Sequence, residues 1–364
     1  MNNFSPETLK NNLHQALGNL NNFDTCALLD YPDYLNLGDH LIWLGSIFYL
    51  TDVLKVKIKY AASKEDFSKT VLEQKAGNAP ILLNGGGNLG DIWPAYQNFR
   101  EQIITEYRDR PIIILPQSIY FKELNNLEKT AKVFNSHPNL TIFARDNRSD
   151  KIARQYFDNC RVIKAPDMAL QMINMPGFGR NTNPKSSILY HCRNDRELNP
   201  EFVNNKIEIP NLVIEDWVSY KWVLGTRKKW LKCHVAQLYR AVWQRGLATS
   251  SEWMSRQKWQ CLHPEVSKFQ KVYQPPIHQR SWSFIYSGIH QFQQHRVIIT
   301  NRLHGHILCI LLGIPHVFLA NGYHKNESFY ETWTHQIPFC RFIKDAGEVK
   351  FAVEELLALH HTQT

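Results

Sequence analysis

Short apolar runs alternate with longer segments of helical periodicity over residues 26–165, and this alternation constrains the fold more than any other sequence feature. The apolar runs predict buried strands at residues 26–31, 80–84, 111–116, 140–145 and 161–165. The segments between them predict helices at residues 39–53, 96–107, 122–134 and 148–157. Strand–helix alternation is typical of a mostly parallel sheet with helices on both faces.

A second series of the same kind follows a Gly-, Pro-, Asn- and Ser-rich segment at residues 175–187, which we interpret as a linker. It predicts strands at residues 188–192, 212–215, 297–300 and 316–320, and helices at 304–312 and 349–359. We therefore predict an α/β protein with two Rossmann-like domains that face a cleft. The predicted domains are residues 1–175 and 188–345, followed by a C-terminal helix within 346–364. Open sheets of this type bind ligands beyond the carboxyl ends of their strands.

Residues 217–259 fit neither series, because they are rich in tryptophan and basic residues and contain no obvious strand. We interpret them as an insertion in the second domain. The mixture of Trp with Arg and Lys suits contact with an anionic membrane surface. An ordinary, partly buried insertion explains it equally well.

The formal net charge of +9 admits three kinds of partner: nucleic acid, a membrane surface or an anionic substrate. No nucleic-acid-binding motif is visible, so we predict no nucleic-acid partner. The polar first residues lack a signal-peptide pattern, and none of the seven cysteines forms a C-x-x-C pair. These features predict a cytoplasmic protein, with peripheral contact at the inner face of the membrane as an open possibility.

The tetrapeptide NLGD occurs twice, at residues 36–39 and 88–91, and three glycines precede the second copy. Each copy is predicted between a strand and a helix, where Asp39 or Asp91 can cap the helix and backbone N–H groups can bind an anion. Plain tight turns are the alternative. The spacing matches neither the dinucleotide-binding nor the ATP-binding glycine loop, so we predict no cofactor.

The most informative segment is TNRLHGHILC at residues 300–309. Arg302 and His304 follow a predicted strand and begin a predicted helix, a combination that suits an acidic substrate requiring proton transfer. Arg193 ends the first strand of the same predicted domain and would emerge at the same sheet edge. A surface ion pair at Arg302 and a helix cap at His304 are the alternative.

Gln117, Arg145 and Asp167 end strands of the first predicted domain and are weaker candidates, because any one of them is more often structural. No zinc-binding pattern of histidine, glutamate or cysteine is present, and His304 and His306 would point apart at a helix start. We predict no required metal.

Together these motifs resemble the polysaccharide pyruvyl transferase family. The resemblance runs from about Asp30 to Trp333, and it rests on NLGDH at residue 36, LLNGGGNLGD around residue 87, ILPQS ending at residue 118, FARD around residue 145, APD ending at residue 167, and TNRLHGHILCILLGIPHVFL from residue 300.

The resemblance implies a fold similar to GT-B glycosyltransferases, phosphoenolpyruvate as donor substrate, and a sugar or lipid-linked oligosaccharide as acceptor. By the same resemblance Arg302 and His304 match the catalytic motif. The predicted donor-binding residues are Arg193, Arg302, Asn88, Gly87 and Lys325. The candidate acceptor or cleft residues are Asn36, Asp39, Asp91, Gln117 and Arg145. A nucleotide-sugar glycosyltransferase and a non-catalytic anion- or glycan-binding protein remain the alternatives.

Overall fold

The computed structural model describes residues 5–361 except 19, 21–22, 182–183, 194, 196, 203–206, 208 and 219–249. Most of the basic and aromatic insertion predicted at residues 217–259 therefore lies outside the described residues, and the membrane-contact hypothesis stays a prediction.

The first half of the chain forms a parallel sheet that contains all five predicted strands and two that the apolar runs do not predict, at residues 57–62 and 86–90. Its described strands are β1 (Thr25–Leu29), β2 (Lys57–Ala62), β3 (Ile81–Leu83), β4 (Gly86–Gly90), β5 (Ile112–Tyr120), β6 (Leu140–Ala144) and β7 (Arg161–Lys164). The order is β2-β1-β3-β5-β6-β7, and β4 pairs with the distal part of β5. The strand order reverses at β1, so the connections after β1 and β3 diverge and leave a crevice.

A second parallel sheet is built from the other half. Its described strands are β8 (Ile188–His191), β9 (Leu212–Glu215), β10 (Val297–Thr300), β11 (His316–Leu319) and β12 (Cys340–Ile343), in the order β12-β11-β10-β8-β9. His191 pairs with Thr300, so the residues that follow β8 and β10 leave the sheet at the same level. The α/β class and the parallel strands are confirmed.

The described helices cover the predicted helical segments and add others. They are α1 (Pro6–Leu17), α2 (Leu37–Phe48), α3 (Lys69–Ala76), α4 (Pro94–Glu106), α5 (Leu124–Ser136), α6 (Asn147–Tyr156), α7 (Ser250–Leu262), α8 (Val266–Phe269), α9 (Pro275–Phe292), α10 (Leu303–Leu312), α11 (Lys325–Phe329) and α12 (Val349–His361). A π-helical turn, Tyr49–Val53, extends α2 to the predicted end at residue 53.

The second NLGD copy is not the strand-to-helix turn that the sequence predicts, because residues 86–90 form β4. Asp91 does not cap α4 either: its carboxylate accepts hydrogen bonds from the backbone N–H groups of Lys122 and Glu123, ahead of α5. In the first copy the cap is Asn36 and not Asp39, since the Asn36 side chain accepts from the N–H of Gly38. The local sequence pattern could not show which helix start each of these side chains bonds to, because Asp91 reaches a helix about 30 residues away in the chain.

One of the apolar clusters of the described residues continues from the first sheet to the second. It includes Leu41 on α2, Ile285 on α9, Ile298 on β10 and Ile307 on α10. A helix that is apolar all round is a buried helix, and both α2 and α10 fit this rule because nearly all of their residues are buried. The division into two domains facing a cleft, with a GT-B-like arrangement, stays a prediction.

Among the described residues, no helix combines the length and apolar character needed to cross a membrane.

Candidate active site

A cavity of about 290 Å³ lies at the carboxyl ends of both sheets, where open sheets bind their ligands. Residues of both halves of the chain line it. From the first half come the predicted residues Asn36, Asp39, Gly87, Asn88 and Arg145. From the second half come the predicted residues Arg193, Arg302, His304 and Lys325. The structure thus gathers nine of the candidates around one space.

His304 lies at this cavity because two buried helices begin there. It occupies the first turn of α10, and its ring packs against the start of α2: a Cβ atom added to Gly38 would lie only 2.4 Å from the ring Nδ1. The ring Nε2 lies 3.5 Å from Oδ2 of Asp167 and is buried without a hydrogen-bond partner in the described structure. The buried Nε2 faces the carboxylate, so Nδ1 is the nitrogen left for a ligand.

Asp167 is fully buried, and its carboxylate lies between the Arg145 guanidinium and the His304 ring. Arg145 Nη1 donates to its Oδ2 at 2.5 Å, and the N–H of Ala169 donates to its Oδ1 at 2.8 Å. Burial alone disfavours the carboxylate, but the Arg145 guanidinium and His304 hold the pKa of Asp167 well below its usual range. A permanent carboxylate behind an imidazole keeps the ring oriented, as in catalytic triads.

Arg145 is itself held by neighbouring strand ends. Its Nε and Nη2 both donate to Oγ of Ser118 at 3.1 Å, and Ser118 donates in turn to Asp146 at 2.8 Å. The side chain is completely buried yet borders the cavity. It therefore presents a fixed positive charge that is not free to turn toward solvent.

Arg302 forms a two-pronged ion pair at the edge of the second sheet. Its Nε and Nη2 each donate to a carboxylate oxygen of Asp216 at 2.6 Å, and Nη2 also lies 3.6 Å from Asp195. No hydrogen bond within the described structure uses Nη1. Such a bidentate pair fixes the guanidinium plane and leaves one end of the fork available.

Arg193 has all three guanidinium nitrogens engaged. Nε and Nη2 donate to Asp195 at 2.7 and 2.9 Å, and Nη1 donates to Glu197 at 2.8 Å. Lys325 donates to the same Glu197 oxygen. Burial opposes the charge, yet Lys325 and Arg193 lower the pKa of Glu197 to about 2. Burial lowers the pKa of Lys325 to about 8, against the opposing effect of Glu197.

Gly87 leaves open the space between two of these cations. A Cβ atom at this position would stand 3.3 Å from Arg145 Nη2 and 3.5 Å from Lys325 Nζ. Any larger side chain would fill this gap. Asn88, the next residue, is held by Arg100, whose Nη2 donates to its side-chain oxygen at 2.8 Å. A small anion at Gly87 would meet both positive charges.

Two predicted cleft residues do not line the cavity. Gln117 is fully buried and donates to the backbone oxygen of Asn84 at 3.0 Å and to the side chain of Asn88 at 3.2 Å. Asp91 serves the start of α5, as described above. Gln117 supports the cavity wall through Asn88, and neither Gln117 nor Asp91 lines the space.

The sequence reasoning missed several lining residues. These are Tyr34, Trp93, Tyr96, Asp195, Glu197 and Trp217. The signal for Asp195 and Glu197 was their position directly after the arginine that ends β8. The aromatic residues carried no such signal, because an isolated Tyr or Trp before a helix is most often part of the core.

One potential metal-ligand group occurs in the described part of the chain, and none of its residues lines the cavity. The ligand atoms of His306, His316 and Cys340 lie within 4.8 Å of one another, and all three are buried. Protein groups already satisfy the two rings: Nδ1 of His306 lies 2.7 Å from Nε2 of His316, and the outer nitrogens meet Thr334 and the carbonyl of Ile314 at 2.9 Å each. The absence of a required metal stays a prediction.

Comparison with known proteins gives a family match over most of the chain. The family model for polysaccharide pyruvyl transferase matches residues 36–323. EpsO of Bacillus subtilis (strain 168), whose name describes it as a pyruvyl transferase, is 29% identical over 88% of this chain and 88% of its own length. Pyruvyl transferase 1 of Schizosaccharomyces pombe is 26% identical over 85% of this chain and 69% of its own length.

A solved structure shares the fold. The crystal structure of an uncharacterised protein from Klebsiella pneumoniae subsp. pneumoniae aligns with a TM-score of 0.51 and 16% identity, covering 93% of this chain and 96% of that one. Its sequence identity to this chain is too low to support an inference about function. The family match covers most strands of both sheets and most of the residues that line the cavity, and the chain is therefore a member of the polysaccharide pyruvyl transferase family.

Proposed function

We propose that this enzyme transfers the enolpyruvyl unit of phosphoenolpyruvate to two hydroxyls of a sugar, forming a ketal on an exopolysaccharide, another cell-surface glycan or its lipid-linked precursor. The observation that supports this most is the placement of His304, backed by buried Asp167, in a cavity that also holds Arg145, Arg302 and Lys325. A proton-transfer group beside several cations suits a substrate with two anionic groups.

The cations suggest two anion positions for the donor. One is the gap at Gly87, bordered by Arg145 and Lys325. The other is at the unengaged Nη1 of Arg302, which stands two residues before His304 in sequence and lines the same cavity. Phosphate and carboxylate are the two groups of phosphoenolpyruvate that match these positions, because both form charge-assisted hydrogen bonds with guanidinium and ammonium groups.

Carboxylates of the protein already pair with these cations. Glu197 binds Arg193 and Lys325, and Asp216 binds Arg302. We infer that the donor competes with these acids, and that Asp195 is the one it displaces from Arg193, because the Asp195 side chain is 31% exposed whereas that of Glu197 is 5% exposed. In this proposal Arg193 binds the donor only after releasing Asp195.

The proposed reaction has two steps. In the first, an acceptor hydroxyl adds to C2 of phosphoenolpyruvate and gives its proton to His304, while C3 takes a proton from solvent and becomes a methyl group. His304 then releases its proton to solvent. In the second, a neighbouring hydroxyl attacks C2, its proton leaves with the phosphate, and the C2–O–phosphate bond breaks. The products are a ketal and inorganic phosphate, and no redox change occurs. The cations at whichever position holds the phosphate stabilise the negative charge that develops as it departs.

The direct test is phosphate release from phosphoenolpyruvate with galactoside and glucoside acceptors, followed by mass spectrometry of the product. We expect a mass increase equal to one pyruvate less one water. Failure on every acceptor together with stabilisation by nucleotide sugars in a thermal-shift assay would favour the glycosyltransferase alternative. Binding of anions or glycans without turnover would favour the non-catalytic one.

We also propose a cytoplasmic location, with the acceptor presented at the inner face of the membrane. A lipid-linked acceptor requires the enzyme to reach that surface. Flotation with anionic liposomes at low salt tests the contact.

A further inference from the structure

The cavity has a second wall whose chemistry differs from that of the basic side. Tyr34, Trp93 and Tyr96 line it, and we call these three residues the aromatic wall. Trp93 and Tyr96 stand at the start of α4, and Tyr34 lies between β1 and α2. The rings of Tyr34 and Tyr96 meet edge to face at 5.8 Å between centroids. The role proposed above for the basic side leaves this wall unassigned.

Within the aromatic wall, Trp93 is the residue whose side chain has a face and an N–H group available for a ligand. It is half-buried, yet within the described structure its indole makes no ring contact and its N–H donates no hydrogen bond. Buried tryptophans normally pack on other rings and donate to a partner. An indole that borders a cavity with neither leaves its face and its N–H available to whatever enters.

Asp39 stands beside the aromatic wall with one oxygen already engaged. Tyr34 donates to its Oδ2 at 2.9 Å and Asn36 donates to the same oxygen at 2.7 Å. No group in the described structure donates to Oδ1, which would lie 3.6 Å from a Cβ atom added to Gly86. The two donors fix the carboxylate and leave Oδ1 as an acceptor in the cavity.

Flat aromatic surface next to a fixed carboxylate oxygen is the chemistry that recognises a pyranose. The C–H groups on one face of the sugar ring pack against an aromatic ring, and a hydroxyl donates to the carboxylate. A cavity of about 290 Å³ lies near the lower limit of roughly 300 Å³ for small-molecule sites, so it suits one sugar residue together with a small donor and not a long stretch of glycan.

We propose that the aromatic wall and Asp39 form the acceptor subsite, in which one terminal, uncharged pyranose stacks on Trp93 and donates a hydroxyl hydrogen bond to Asp39 Oδ1. This inference rests on the proposed function for its meaning, because it places the acceptor in the same cavity as the cations proposed to hold the donor. The proposed substrate class is a neutral hexopyranose at the end of a glycan, and Trp93 and Asp39 are the residues that select it.

The test separates sugar binding from turnover. Saturation-transfer difference NMR with methyl β-galactopyranoside and methyl β-glucopyranoside reports binding without any reaction. We expect signals on the sugar C–H protons with the wild-type enzyme, loss of these signals with Trp93→Ala, and partial retention with Trp93→Phe. Phe351→Ala is the matched control, because Phe351 is an aromatic residue of α12 that is 72% exposed. It should retain the wild-type signals.

Kinetics supply the second readout. Trp93→Ala and Asp39→Asn should each raise the acceptor KM roughly tenfold, which corresponds to about 1.4 kcal/mol, while the KM for phosphoenolpyruvate changes little. Two outcomes would overturn the subsite: no sugar signal from the wild type at millimolar concentration, or sugar binding that Trp93→Ala leaves unchanged. Displacement of the sugar signal by a nucleotide alone would reassign the aromatic wall to a nucleobase.

The two proposals can fail separately. Sugar signals that depend on Trp93, without phosphate release from phosphoenolpyruvate, would leave the subsite standing and refute the donor. Phosphate release with an acceptor KM that does not respond to Trp93 or Asp39 would keep the reaction and refute the subsite.

Discussion

Nε2 of His304 lies 3.5 Å from Oδ2 of Asp167, although 137 residues separate the two in the chain. Asp167 follows β7 of the first sheet and His304 follows β10 of the second, so their proximity depends on how the two sheets pack around α2 and α10. The contact joins the two halves of the cavity at the residue to which we assign proton transfer. Several of the following predictions test this assignment.

Replacing His304 by alanine should remove turnover without removing donor binding. A positioned acid or base typically contributes 10²–10⁴-fold to a rate, so we expect the kcat of His304→Ala to fall by roughly that factor. Circular dichroism and a thermal-shift titration with phosphoenolpyruvate check folding and binding. A folded His304→Ala variant that pyruvylates at nearly the wild-type rate would remove His304 from the mechanism.

Replacing Arg302 by alanine should weaken donor binding as well as lower the rate, in contrast to the effect of His304→Ala. In Arg302→Ala the charge-assisted bond to the donor is lost and Asp216 is left without its partner, so both the donor KM and kcat should worsen. Arg302→Lys should recover only part of the loss, since an ammonium lacks the planar fork. Unchanged donor affinity in Arg302→Ala would place the donor elsewhere.

A methyl group at Gly38 should displace His304. The added Cβ would lie 2.4 Å from Nδ1 of the ring, a distance that forces the ring to move. Alanine at a helical position is otherwise stabilising by up to about 1 kcal/mol, so Gly38→Ala should remain folded while its kcat falls at least tenfold. The control is Gly179→Ala, since nothing lies within 4 Å of a Cβ atom at Gly179. Full activity of Gly38→Ala would mean that the ring position is not critical.

Donor capture should weaken in alkaline solution. Burial lowers the pKa of Lys325 to about 8, so the free enzyme loses this charge as the pH rises through that value. Tyr323, which faces the same pair, does not titrate in this window because its pKa is raised well above its usual value. We expect kcat/KM for phosphoenolpyruvate to fall by up to tenfold per pH unit above about 8. In Lys325→Arg the fall should move to higher pH; a profile identical to that of the wild type would contradict the assignment.

Glu197 should make the fold sensitive to acid. Its pKa falls from the usual 4.5 to about 2 in the folded state because Lys325 and Arg193 favour the carboxylate over the opposing effect of burial. A lowered folded-state pKa contributes stability that is fully present above about pH 4.5 and is lost as the pH falls toward 2. The contribution is about 3 kcal/mol.

Urea unfolding between pH 2 and 6 measures this contribution. Glu197→Gln should be less stable than the wild type at pH 6, and the difference should shrink as the pH falls. Glu128→Gln is the matched control, because Glu128 is an exposed residue of α5. A pH dependence that Glu197→Gln leaves unchanged would show that other carboxylates dominate.

Activity should survive chelation. The proposed donor site offers arginine and lysine as partners for the anions, and the buried rings of His306 and His316 bond to each other and to protein oxygens. Dialysis against EDTA should therefore leave phosphate release within twofold of the untreated enzyme. Elemental analysis of the dialysed protein completes the test. Loss of turnover that zinc or another divalent ion restores would contradict it.

Most secondary structure followed from the sequence, because strand and helix periodicity depend on neighbouring residues. The strands at residues 212–215 and 297–300 begin and end where the apolar runs do. Several described elements were missed, among them α1, α9 and β12. Two of the missed strands had weak patterns: β2 carries exposed lysines at an edge of its sheet, and β4 consists largely of glycine. The NLGD turn at Asn88 failed for the same reason, because glycines permit a strand as readily as a turn.

The sequence by itself determined which polar residues end the strands. Arg145, Arg193, Arg302 and His304 each follow an apolar run, and parallel strands bring such residues to one edge of a sheet. Only the tertiary structure decided their partners. Glu197 meets Lys325 across 128 residues, and the half-buried Trp93 borders the same cavity as His304. Strand order, register and helix packing set these contacts through the whole core, and no local pattern records them.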